Sequence, residues 1–205
     1  MATEEKHVTT SIGIKVSVSV AVRTAIERIL YGLAQQHTAD AEMACKSGKR
    51  NDELNDAIRT IILATACLEA FINQEAIQVL DQDFDAYDKG FIDAWGKTYR
   101  KRRGYPTLED KWFEITNRIS NKQFNKGEEP FQSFHKLVEL RNEILHYKGI
   151  PAAPVPSTCH HVPGVIPPER AKFTAKAAKA AVESMRAMLE KFHILTGKQK
   201  QAWIK

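Results

Sequence analysis

The chain has 205 residues, of which 43% are hydrophobic and 27% charged, and its 30 Lys plus Arg against 25 Asp plus Glu give a formal charge of +5. That length and apolar content are enough for one well-packed core, so a single domain is expected, and the composition excludes a disordered chain. The longest apolar stretch, 61–70, is too short for a bilayer and is broken by Thr65 and Glu69, so neither a transmembrane helix nor a membrane partner is expected.

The first seven residues are polar, and the apolar positions after them are interrupted by Lys15 and serines rather than forming a signal-peptide core. A cytoplasmic location is the expectation. Over 12–22, Ile12, Ile14, Val16, Val18, Val20 and Val22 alternate with small or polar residues. Period two is strand-like, and a lone strand needs a partner. Residues 1–22 are therefore set apart as an N-terminal extension, either a short strand paired with its copy in a second subunit or a segment that turns helical under tertiary contacts.

From Arg23 the spacing becomes helical, with Ile26, Ile29, Leu30, Leu33, Ala41 and Ala44 predicted on one inward side until Ser47-Gly48-Lys49 stops it. Asn51 or Asp52 is expected to cap a second helix with the stripe Leu54, Ile58, Ile61, Thr65, Leu68, Ile72 and Val79. Because 61–67 is apolar all round, this should be the most buried helix. Shorter helices are predicted over 84–95 and 108–119, a strong one over 130–147, and a last one from Glu169 to about Leu195, ended by Gly197. Phe173, Ala177, Ala181, Met185, Met188 and Phe192 form its core stripe. Residues 23–205 thus predict an all-α antiparallel bundle of about five helices.

The commonest chemical motifs are missing. No phosphate-binding glycine loop, His-Glu-x-x-His, Gly-x-Ser-x-Gly or Cys-x-x-Cys occurs. Cys45, Cys67 and Cys159 are widely spaced and suit reduced thiols better than a disulfide frame or structural zinc. Asp81, Asp83 and Asp85 resemble the start of a calcium loop, but Ala86 stands where its turn needs Gly and Ile92 where it needs Glu, so a solvated acidic turn is expected. Six of the eight prolines lie between Pro151 and Pro168, around Cys159, His160 and His161. This long loop is read either as a connection with incidental histidines or as a lid over substrate. No metal or cofactor is expected.

The most informative segment is Leu140-Arg141-Asn142-Glu143-Ile144-Leu145-His146-Tyr147. At about 100° per residue, Arg141 and His146 lie about 140° apart around a helix, and Asn142 and His146 about 40° apart, so Asn142 is placed to support His146. Arg141 falls on the side of Leu137, Val138, Ile144 and Leu145, where a guanidinium needs an anion or a carboxylate. A phosphate is one candidate. Glu69, one turn before Asn73 on the apolar second helix, is the other, and the two side chains would present a polar strip.

An Arg, an Asn, three further residues and a His, on the penultimate major helix of a small all-α bundle, resemble the signature of the HEPN superfamily. The helix reading Ala66-Cys67-Leu68-Glu69-Ala70-Phe71-Ile72-Asn73 is similar to that family's apolar core helix. The resemblance implies a dimer and a metal-independent endoribonuclease without cofactor, acting as a toxin or phage-defence effector with an antitoxin or other regulatory partner. It implies His146 as general base or acid, Arg141 on the scissile phosphate, Asn142 orienting His146, and Tyr147 beside them. Tyr147 follows the His directly, whereas the toxin branch that pairs with a nucleotidyltransferase antitoxin spaces its Tyr one residue further. Two other classes stay open: a non-catalytic HEPN-like module that binds nucleotide or RNA, and a dimerisation protein. For RNA, Lys97, Arg100, Lys101, Arg102 and Arg103 between Tyr99 and Tyr105 combine charge with stacking rings, or form a solvated basic turn. Lys172, Lys176, Lys179 and Arg186 on the last helix are expected on an exposed face.

Overall fold

The computed structural model describes residues 26–80, 107–146 and 171–204. These form five helices and no strand: α1 (26–46), α2 (Arg50–Leu80), α3 (Leu108–Ser120), α4 (Phe131–Leu145) and α5 (Ala175–Thr196). The chain is an all-α helical bundle, as its patterning predicts. The alternating segment 12–22 and the helix expected over 84–95 lie outside the described residues.

Local chemistry sets the helix ends. Gly48 takes a left-handed conformation at φ +69°, and the Lys49 N–H donates to the Ala44 carbonyl, closing α1 and reversing the chain. The α2 helix begins at Arg50, so Asn51 and Asp52, predicted as caps, lie inside its first turn. The Lys49 carbonyl, already fixed by the turn, accepts from the Glu53 N–H and starts the helix early. A reciprocal capping box between Thr107 and Asp110 starts α3, and Asn121 in the left-handed region ends it. The last helix starts at Ala175 rather than Glu169, because the Thr174 hydroxyl accepts from the Ala177 N–H and serves as its cap. Gly197 ends it as predicted.

The two long helices α2 and α5 are the centre, and α3 and α4 each pack against both. Leu54, Ile61, Leu68 and Ile72 of α2 are buried against Met185, Met188, Leu189 and Phe192 of α5. Trp112 of α3 closes this core: its ring stacks on Phe71 at 5.8 Å and meets the edges of Phe124, Phe134 and Phe192 at 5.8–6.0 Å. The α2 helix is long and apolar enough to cross a bilayer by length and composition, but more than half of its most apolar window is buried inside the bundle.

Helix directions follow from polar contacts. The α1–α2 hairpin is antiparallel, and the ion pair of Lys172 with Glu143 sets the start of α5 beside the end of α4. The central pair is parallel, not antiparallel as predicted, because the long connection between its two helices returns the chain to the same end. The Glu53 carboxylate accepts from the Ala175 N–H at the starts of α2 and α5, and Lys198 pairs with Glu75 at their ends.

The inward side of α1 differs from the prediction. Ala41 and Ala44 are buried as predicted, but in the first turns Glu27, Tyr31 and Ala34 are buried while Ile26, Ile29 and Leu33 are exposed. Alanines let α1 approach closely, and Tyr31 reaches the Trp203 ring at 5.3 Å and accepts from Arg186 Nε at 3.4 Å. Close approach, rather than side-chain size, decides which face of this helix turns in.

Candidate functional site

Arg141 of α4 is brought to Glu69 and Asn73 of α2. Arg141 sits in the last turns of α4, and its Nη2 lies 3.7 Å from Glu69 Oε2 on α2. A fourth side chain, from a third helix, completes the group: Lys111 of α3 places Nζ 3.6 Å from Glu69 Oε1 and donates to Asn73 Oδ1 at 3.1 Å. The polar strip of Glu69 and Asn73 therefore faces two cations from two helices. The sequence reading missed Lys111, whose neighbour Trp112 turns α3 onto the core and so fixes Lys111 at the edge of α2. Before that packing is known, it is one lysine among many.

Glu69 meets Arg141 as its place on the apolar helix suggested, but on the helix expected to be the most buried it is itself partly exposed. Its side chain is 38% exposed, that of Arg141 33% and that of Lys111 15%. Both ion pairs are longer than the 2.7–2.9 Å typical of close charge-assisted hydrogen bonds, and at this exposure they add little to stability. They leave a third of the Arg141 side chain exposed.

Arg141 Nη1 donates to Asn142 Oδ1 at 3.0 Å. The amide oxygen of Asn142 thus serves Arg141, whereas its contact with His146 is through the backbone, the His146 N–H donating to the Asn142 carbonyl at 2.8 Å. His146 terminates α4 and is exposed, and Leu145, expected on the inward side with Ile144, is exposed too. Tyr147 and the basic segment of Lys97, Arg100, Lys101, Arg102 and Arg103 lie outside the described residues. So do Asp81, Asp83 and Asp85, and Cys159, His160 and His161.

An open depression of about 690 Å³ lies at the other end of α4, lined by Thr107, Glu109, Lys126, Phe131, His135 and Lys136 among others. His135 Nδ1 is 2.8 Å from Glu109 Oε1, and Nε2 is 3.4 Å from Glu139 Oε1. The hydrogen bond to Glu109 holds the imidazole above its usual value, against a smaller opposing effect of burial. Both ring nitrogens already face carboxylates, so this depression has a less available acid or base than the exposed His146.

No family model, no curated protein and no solved structure matches the chain.

Proposed function

We propose that the protein is a metal-independent endoribonuclease of the HEPN type, acting as a cytoplasmic homodimer in a toxin or phage-defence role under an antitoxin or other regulatory partner. One observation carries this reading: a half-open Arg141, steadied by Glu69 and Asn142, stands just over one turn before an exposed His146 at a helix end. Arg141 stabilises the charge that builds on the scissile phosphate, with Lys111 as a second cation beside it. His146 takes the proton from a ribose 2′-hydroxyl, or gives one to the leaving 5′-oxygen, as a new 2′-oxygen to phosphorus bond forms and the bond to the 5′-oxygen breaks. One imidazole cannot play both parts in one step. A second copy across a twofold axis near α4 supplies the other His146 and the other Arg141, and Lys97, Arg100, Lys101, Arg102 and Arg103 hold the flanking RNA.

The test is incubation of purified protein with total RNA in EDTA, with Arg141→Ala and His146→Ala alongside. Cleavage by the unaltered chain and its loss in both variants are expected. Full activity in His146→Ala, or loss on chelation, overturns the assignment. Light scattering is expected to give a dimer, and mixing the two inactive variants is expected to restore part of the activity. A fully active monomer removes the composite cleft.

The Arg141–Asn142 hydrogen bond favours a second reading, a non-catalytic module that binds nucleotide or RNA, because it turns Asn142 away from orienting His146. RNA retained by all three proteins and cut by none is the result that reading predicts.

A further inference from the structure

Away from the Arg141 group, three side chains converge between α1 and α2. His37 Nδ1 lies 3.0 Å from Asp56 Oδ1 on α2 and 3.9 Å from Asp40 Oδ2, one turn further along α1. The three donor atoms lie within 4.8 Å of one another. We propose that His37, Asp40 and Asp56 bind a single divalent transition ion of the zinc class, which pins α1 to α2.

The donor chemistry and the spacing both favour this. One imidazole nitrogen with two carboxylate oxygens is a set that suits zinc-class ions, whereas calcium and magnesium take all-oxygen surroundings. Donors about 2.1 Å from a tetrahedral ion stand about 3.4 Å apart. The His37 to Asp56 separation is already shorter than that, and the His37 to Asp40 separation needs to close by about half an ångström. Asp40 is the more exposed carboxylate and is free to make that adjustment, while Asp56 is largely covered and fixed. The same nitrogen, Nδ1, faces both carboxylates. In the complex Nδ1 carries the ion, Nε2 carries the ring proton, and water fills the open side of the ion. Arg59 Nη1 donates to Asp56 Oδ1 at 3.1 Å and orients that carboxylate.

The three residues come from two helices, and His37 and Asp56 are 19 positions apart, so no short motif announces them. The tight turn at Gly48 sets their register: it folds α2 back along α1 so that the two carboxylates meet the imidazole.

The experiment strips the full-length protein with EDTA and titrates it with Zn²⁺, reading heat of binding and thermal unfolding. One equivalent is expected to bind and to raise Tm, with no rise from Ca²⁺ or Mg²⁺. Asp40→Asn, at a residue outside hydrogen-bond reach of His37, should unfold like the unaltered chain without metal and bind at least about tenfold more weakly. His37→Gln should lose the site. A Cys159→Ser, His160→Ala, His161→Ala chain should keep it, and Co²⁺ should give a spectrum without a thiolate charge-transfer band. Absence of saturable binding, unchanged affinity in Asp40→Asn and His37→Gln, an equal response to Ca²⁺, or loss of binding in the Cys159 chain would each overturn the proposal.

Discussion

Three glutamates on α2 meet three different fates. Glu53, at its start, is buried, bonded at 2.9 Å to the Ala175 N–H and at 2.6 Å to Arg50. Glu75, near its end, is buried against Lys198. Glu69 lies between them at the surface, with two cations held at 3.6 and 3.7 Å. The tight pairs join α2 to α5, and the slack one faces α3 and α4. Where a carboxylate is buried, its bonds must be short to offset lost hydration, and such bonds leave nothing for a ligand. A site that exchanges an anion needs the slack arrangement.

The difference is open to direct attack. The largest expected effect is on the slack group: Arg141→Ala should lower RNA cleavage by about 10²–10³-fold, as loss of one transition-state donor does, with little change in the urea midpoint. A matching fall in stability would make Arg141 a structural residue. Glu53→Ala should behave the opposite way, costing about 2 kcal/mol in urea unfolding with cleavage intact, since the buried Ala175 N–H loses its acceptor.

Acid should separate the buried glutamates further. Burial alone would raise the Glu53 carboxyl, but the Ala175 N–H and Arg50 outweigh it and hold the group below its ordinary 4.5. Its contribution is therefore complete above that value and lost as pH falls through the depressed one, and the acid limb of stability should flatten in Glu53→Gln. For Glu27 the sign reverses. Burial first, and Glu75 nearby, raise it against one lowering backbone hydrogen bond. Its ionisation thus opposes folding, and the penalty grows as pH rises from 4.5 toward the raised value. Glu27→Gln should raise Tm at neutral pH and leave it unchanged in acid; equal shifts at both would assign the effect to packing. The smallest effect is expected from Glu69→Gln, about 0.5 kcal/mol or less.

Helix existence was legible in the sequence wherever one face had to be apolar. The α2 stripe, the bounds of α3 and α4 to within a residue or two, and the Gly197 stop all follow from periodicity and cap chemistry. The rotation of the first turns of α1 did not, because the buried Ala34 carries less apolar surface than the exposed Ile26, Ile29 and Leu33, and only the neighbouring helices decide which approach is close. At the candidate site, the meeting of Glu69 with Arg141 was legible from a carboxylate in the apolar middle of α2 and a guanidinium on an apolar side. Lys111 was not, because its place depends on how Trp112 docks. The hydrogen bond that takes Asn142 to Arg141 was missed as well, since angular spacing gives neighbours on a helix but not the rotamer that chooses between them.

The parallel pairing of α2 and α5 also fixes an order of events during synthesis. The contacts that join them link residues 122 and 123 positions apart, so the most apolar helix of the chain is complete long before its main partner leaves the ribosome. Until then α2 has α1 and, later, α3 and α4 to cover it, and α5 decides whether the core closes. Nascent chains shortened before α5 would present that uncovered helix to chaperones and proteases, which makes the C-terminal helix the step that commits the molecule to its fold.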